Sequence, residues 1–198
     1  MDIGVFKETK LTDIIYTQVL DEYRVIAAMA SIWNRGGVAL FYQESPILAV
    51  KLMRQFGANI IACQMATGER RWYIVGCYLA FGDRATIQDA KESIAEWTSG
   101  TELIVLGYLN VDLERTVGRG RDKDIAVVVA TAGIEDILVH LLSLRREWNR
   151  DWKMWEMVRQ WREVSSRTDY ILGTDCRIFQ NVAVRDLQHN FEHYMVLG

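Results

Sequence analysis

TELIVLGYLNVDL, from Thr101 to Leu113, is the stretch on which the reading of the fold turns. Leu103-Ile104-Val105-Leu106 is a short unbroken apolar run, the pattern of a strand covered on both faces. Gly107 is expected to break the run and let the backbone turn sharply. Tyr108 and Asn110 then carry polar groups just past the strand's end, where open α/β sheets commonly keep their active sites. On these residues alone the same stretch also reads as plain core followed by a loop.

Outward from that strand the chain alternates short apolar runs with turn residues. Ile3–Phe6 reads as a buried strand that delivers Glu8 at its C-terminal end, and Tyr23–Ala28 and Val38–Tyr42 read as two more, with the Gly36-Gly37 turn between them. Ala49–Phe56 and Asn59–Met65 form a strand pair broken at Gly57, and Thr67-Gly68-Glu69-Arg70 is a hairpin turn into Trp72–Tyr78. Ile87, Ala90, Ile94 and Trp97 recur at helical spacing, which predicts a helix over Ala85–Trp97. A second helix is expected over Asp122–Ala132, acidic at its start and stopped by Gly133. Ile134–Leu144 is apolar but of no clear type. Met154–Arg159, Thr168–Leu172, Phe179–Asp186 and His193–Leu197 read as strands. Many strands and two helices suggest two packed sheets with helices outside.

The 198 residues suit one domain over 1–198, and half of them are apolar, enough for a substantial core. No apolar run is long enough to span a bilayer, and MDIGVFKETK has no apolar signal-peptide core. An intracellular protein, nuclear or cytoplasmic, is expected, with no membrane partner. Cys63, Cys77 and Cys176 are odd in number and unpatterned, so they read as reduced core thiols. The net charge of −3 does not suggest a general polyanion binder. Arg145–Arg167 nevertheless holds seven basic residues against four acids, interleaved with Trp148, Trp152, Trp155 and Trp161. Such a mixture suits DNA, by phosphate contact and base stacking, and it equally suits a solvated face with tryptophans turned inward.

Two later stretches join the first: Ser166-Arg167-Thr168-Asp169-Tyr170-Ile171 and Phe191-Glu192-His193. With Gly107-Tyr108-Leu109-Asn110 they resemble, in order and rough spacing, the G-D-F-N, S-R-x-D-Y-I and S-D-H motifs of the endonuclease/exonuclease/phosphatase superfamily. The chain is most similar there to the endonuclease domain of non-LTR (LINE-type) retrotransposons, a domain fused to a reverse transcriptase. Phe6-Lys7-Glu8-Thr9 corresponds to the family's Q-E-T. The resemblance implies a four-layer α/β/β/α sandwich, DNase I-like, and Mg²⁺- or Mn²⁺-dependent phosphodiester hydrolysis. It also implies that the family's first strand is lacking, because only two residues precede Ile3. The loss of that central strand is expected to leave backbone edges open. A phosphatase acting on lipid or inositol phosphates shares the fold, but the close match over Arg70–Tyr78 argues against it.

Hydrolysis of a phosphodiester needs charge neutralisation, a polarised water and help for the leaving oxygen. The resemblance implies Glu8 and Glu192 as metal ligands, carboxylates being what Mg²⁺ prefers. It pairs His193 with Asp169, a carboxylate that orients the ring and favours its protonated form. It gives Asn110 and Tyr78 to the phosphate. Without it, Glu8 is a surface acid beside Lys7 and Lys10, Asp169 and Asn110 are turn residues, Tyr78 is core and His193 is a strand-edge histidine.

The departures fall on the chemistry. Tyr108 stands where the family has Asp, and a tyrosine, bulky and neutral at pH 7, cannot replace an acceptor-only carboxylate. Glu192 stands for Asp, and its extra methylene moves the oxygens by about 1 Å, more than catalytic geometry tolerates well. Phe191 replaces a small Ser, and Phe81 replaces a Pro. DNA nicking is therefore expected to be weak or lost. A non-catalytic relic that binds nucleic acid or protein is the alternative.

Overall fold

The computed structural model describes residues 3–7, 9, 17–20, 23–28, 36–79, 84–98, 102–109, 111, 113, 120–136, 169–175, 183–185 and 195–197. Arg145–Arg167 and the strand expected over Met154–Arg159 lie outside them. Strands β1 (Ile3–Lys7), β2 (Thr17–Leu20), β3 (Tyr23–Ala27) and β4 (Val38–Gln43) form an antiparallel sheet in the order β1-β4-β3-β2. Strands β5 (Leu48–Phe56), β6 (Ile60–Thr67), β7 (Arg70–Tyr78), β8 (Glu102–Tyr108), β9 (Glu135–Asp136) and β10 (Asp169–Gly173) form a second, in the order β5-β6-β7-β8-β10-β9. Strands β11 (Ala183–Arg185) and β12 (Met195–Leu197) pair with each other, and β12 lies alongside β1.

One pair, β7 with β8, is parallel, and a parallel pair needs a crossover. Helix α1 (Arg84–Thr98) supplies it. Its Ile87, Ala90 and Ile94 face the sheet, and α2 (Gly120–Thr131) adds Ile125. Helix α2 ends on a Schellman motif: Ile134 N donates to Val129 O, Gly133 N to Ala130 O, and Gly133 takes φ 63°. The helix stop read from Gly133 therefore has a geometric cause.

The apolar run of β8 is covered on both faces, as its sequence requires. Leu103 and Val105 pack under the helices with Ile60, Val75 and Ile94. Ile104 and Leu106 pack between the sheets with Ile3, Val38, Leu40, Ile61 and Ile171. Each such side chain, fully buried, stabilises by roughly 1.5–3 kcal/mol. The far face of the four-stranded sheet is also buried, at Val25, Ala27, Ala39 and Phe41. The chain thus has a mixed α/β architecture in which two sheets lie face to face and helices cover the six-stranded one.

One sequence expectation is corrected. Gly107 does not turn the chain: β8 runs on through Tyr108, with Gly107 paired to Cys77 in the ladder. Glycine is needed for a different reason, since at φ 137° a Cβ there would sit 2.0 Å from the Cys77 carbonyl oxygen. Strand β2 carries no reading in the sequence, yet it pairs with β3. Of the apolar stretch from Ile134, the described part gives the short strand β9. Strand β5 is an edge of its sheet, and Met53 is an extra residue between the Leu52–Cys63 and Arg54–Ala62 pairs, a β-bulge. No described helix is long and apolar enough to cross a membrane.

Candidate active-site cleft

Beyond Leu106 the inter-sheet core stops and a row of polar residues begins. Tyr78 is in register with Tyr108, and Tyr108 with Asp169, so the three occupy one row across the ends of β7, β8 and β10. The Tyr78 and Tyr108 rings lie 5.7 Å apart at 31°, both half-buried. Leu79 N donates to Tyr108 O at 2.8 Å, which extends the parallel ladder to this row.

The opposite wall comes from the four-stranded sheet. The β5–β6 turn carries Asn59, buried at 8% exposure and one of two buried polar side chains among the described residues. Its Oδ1 accepts from Gly37 N at 3.1 Å, while its backbone O accepts from Tyr78 N at 2.8 Å. Thr9 N in turn donates to Gly37 O at 3.3 Å. One hydrogen-bonded chain thus runs from the segment after β1, through the start of β4, to the end of β7. Gly36 must lack a side chain here, because at φ 80° a Cβ would meet Asn59 Oδ1 at 2.5 Å. The sequence reading took Asn59 only as the start of a strand. The Gly36-Gly37 pair, read as a turn, was the signal that some other group approaches the backbone closely.

Tyr170 fastens a third side. Its hydroxyl donates to Val111 O at 3.2 Å and accepts from Leu113 N at 3.1 Å. Leu109 and Val111 are themselves buried. The loop that holds Asn110 is therefore tied to the strand that begins at Asp169, a role for the Tyr of the S-R-T-D-Y-I stretch that sequence alone does not show.

Of the expected site residues, the structure brings Tyr78 and the backbone of Asp169 into one row, with Tyr108 between them. Glu8, Asn110, Glu192 and His193 lie outside the described residues. The chain beside them is placed: β1 ends one residue before Glu8, β12 starts two residues after His193, and these two strands lie side by side, with β12 also near β10. Among the described residues no group of three or more His, Cys, Asp or Glu could hold a metal ion. The described side chains of the cleft, Thr9, Asn59, Tyr78 and Tyr108, offer neutral oxygens, whereas Mg²⁺ prefers carboxylates. By themselves they do not make a metal site. Thr9 Oγ1 is buried without a hydrogen-bond partner. Cys77, one residue before Tyr78, faces the helix-side core, and burial pushes its thiol up to about 12. The same holds for Cys63 in the inter-sheet core, so neither is a nucleophile at neutral pH.

The chain matches no family model and no curated protein. Solved structures do match it. One is the endonuclease domain of TRAS1, a telomere-specific non-LTR retrotransposon, with a TM-score of 0.62 over 90% of this chain and 80% of that chain, at 14% identity. At so low an identity the likeness speaks for the backbone alone: the fold of this chain is similar to that of the TRAS1 endonuclease domain.

Proposed function

We propose that residues 1–198 form one endonuclease-like domain of retrotransposon type, a four-layer α/β/β/α sandwich in which DNA nicking is weak or lost. The likeness to the TRAS1 domain supports the sandwich. So does the burial of the four-stranded sheet's far face, which needs a covering layer. The observation that carries the functional half is the row at the end of β7, β8 and β10. Tyr108 fills the register position beside Asp169 and lays its ring against Tyr78. The place next to the proposed His193–Asp169 pair thus holds a phenol in place of a water-activating carboxylate. Glu8 and Glu192 are the residues that would hold Mg²⁺ or Mn²⁺, which when bound neutralises charge on the phosphate. Asn110 and Tyr78 would orient that phosphate.

Plasmid nicking tests this reading. Wild-type protein in Mg²⁺ is expected at background, since losing a catalytic carboxylate costs several orders of magnitude. The Tyr108→Asp, Glu192→Asp double variant is expected to nick more than either single variant, because groups acting on one reacting unit are non-additive. Its activity should vanish on adding His193→Ala. Robust nicking by wild type that disappears with His193→Ala would overturn the claim of a damaged site.

The second reading is non-catalytic nucleic-acid binding, and Tyr108 favours it for the same reason. DNA would then engage Arg145–Arg167 with an affinity that falls as salt rises. Binding unchanged by Arg159→Ala with Arg162→Ala speaks against that surface. As in its family, the domain would work beside a reverse transcriptase.

A further inference from the structure

Three features of the cleft go beyond what hydrolysis needs. The first is the aromatic pair. Further inward on the two strands, Cys77 and Leu106 are almost completely buried, but Tyr78 and Tyr108 keep part of their surface open. The two rings lie 5.7 Å apart and 31° from parallel, so aromatic surface is offered there. The second is the wall at Gly36-Gly37, which carries no side chain and which Asn59 Oδ1 keeps free of one. The third is Thr9 Oγ1, buried and unpartnered on the residue bonded to Gly37. A buried hydroxyl without a partner costs free energy, and it can both donate and accept once a partner arrives.

An aromatic floor, a wall without side chains and one unmet hydroxyl suit a flat π group with polar edges. We propose that Tyr78 and Tyr108 form a stacking platform for an unpaired nucleobase, with Thr9 Oγ1 bonding its edge. This rests on the reading of the cleft as facing nucleic acid and names the form taken: single-stranded, since a paired base has its faces already stacked. It does not depend on hydrolysis. Replacing the carboxylate by Tyr108 removes a negative charge that would repel the strand and adds a face that every base can use.

The test is titration of the whole chain with a single-stranded oligonucleotide carrying one central 2-aminopurine, whose fluorescence is quenched by stacking. Wild type is expected to bind and quench. Tyr108→Phe keeps the ring and should keep the quenching. Tyr108→Leu and Tyr78→Leu, each shown folded by circular dichroism, should weaken binding by about 5- to 150-fold, the usual range for one base–aromatic stack. A duplex of the same sequence should compete poorly. Where a leucine variant does not fold, wild type with an oligonucleotide lacking its central base decides alone, and equal affinity for the two oligonucleotides overturns the proposal. So does the absence of binding, or quenching untouched in folded leucine variants. Nicking by the repaired double variant without quenching by wild type would keep the endonuclease reading and remove the platform, and the reverse result would do the opposite.

Discussion

The middle of the β7–β8 pair and its C-terminal end share one backbone ladder, yet they answer to different demands. In the middle, Leu103, Ile104, Val105 and Leu106 are buried on both faces, and Ile74 and Val75 match them on the neighbouring strand. At the end, Tyr78 and Tyr108 are half open and Asn59 ties the row to the other sheet. The contrast teaches that the buried core of this sheet and the polar row at its end rest on different side chains. The ladder holds Tyr108 by its backbone, whose O accepts from Leu79 N, so a change of side chain there leaves those bonds in place.

That separation can be broken by measurement. The largest effect is expected from Gly107→Ala, which lies at the border of the two regions. Its Cβ would press on the Cys77 carbonyl at 2.0 Å with φ at 137°, so a loss of more than about 4 kcal/mol by urea denaturation is expected, or no folded protein. Leu103→Ala, wholly in the middle, should cost about 2–5 kcal/mol by the same measurement. Asn59→Ala leaves Gly37 N without its acceptor and should cost about 1–3 kcal/mol. Amide exchange should then quicken at Gly37 and Thr9, while Leu40 and Ile61 in the core stay protected. Tyr108→Asp should change stability least, by within about 1 kcal/mol. A Tyr108→Asp loss as large as that of Leu103→Ala would place Tyr108 in the core and end the distinction between the two regions.

The fold was largely legible because burial writes itself into periodicity. The run at Leu103–Leu106, the spacing of Ile87, Ala90, Ile94 and Trp97, and the stop at Gly133 each reappear in the structure with the cause inferred for them. Gly107 was misjudged because a glycine needed for close approach to a neighbouring strand looks the same in sequence as one needed for a turn. Strand β2 escaped notice because Thr17–Leu20 is too short to show alternation. At the cleft, the motifs singled out Tyr78, Tyr108 and Asp169, and the strand register sets their backbones in one row. Asn59 and Tyr170 stayed hidden, since their partners lie 22 and 57–59 residues away and no local pattern encodes such a bond.

The bulge at Met53 has a consequence for life in a concentrated solution. Strand β5 is nine residues long and forms an outer edge, the type of strand on which another copy could polymerise. The extra residue Met53 interrupts its register midway, and exposed Lys51 sets a charge beside the bulge, two features that disfavour pairing with another edge. Among the described strands, this edge is therefore a poor template for fibril growth.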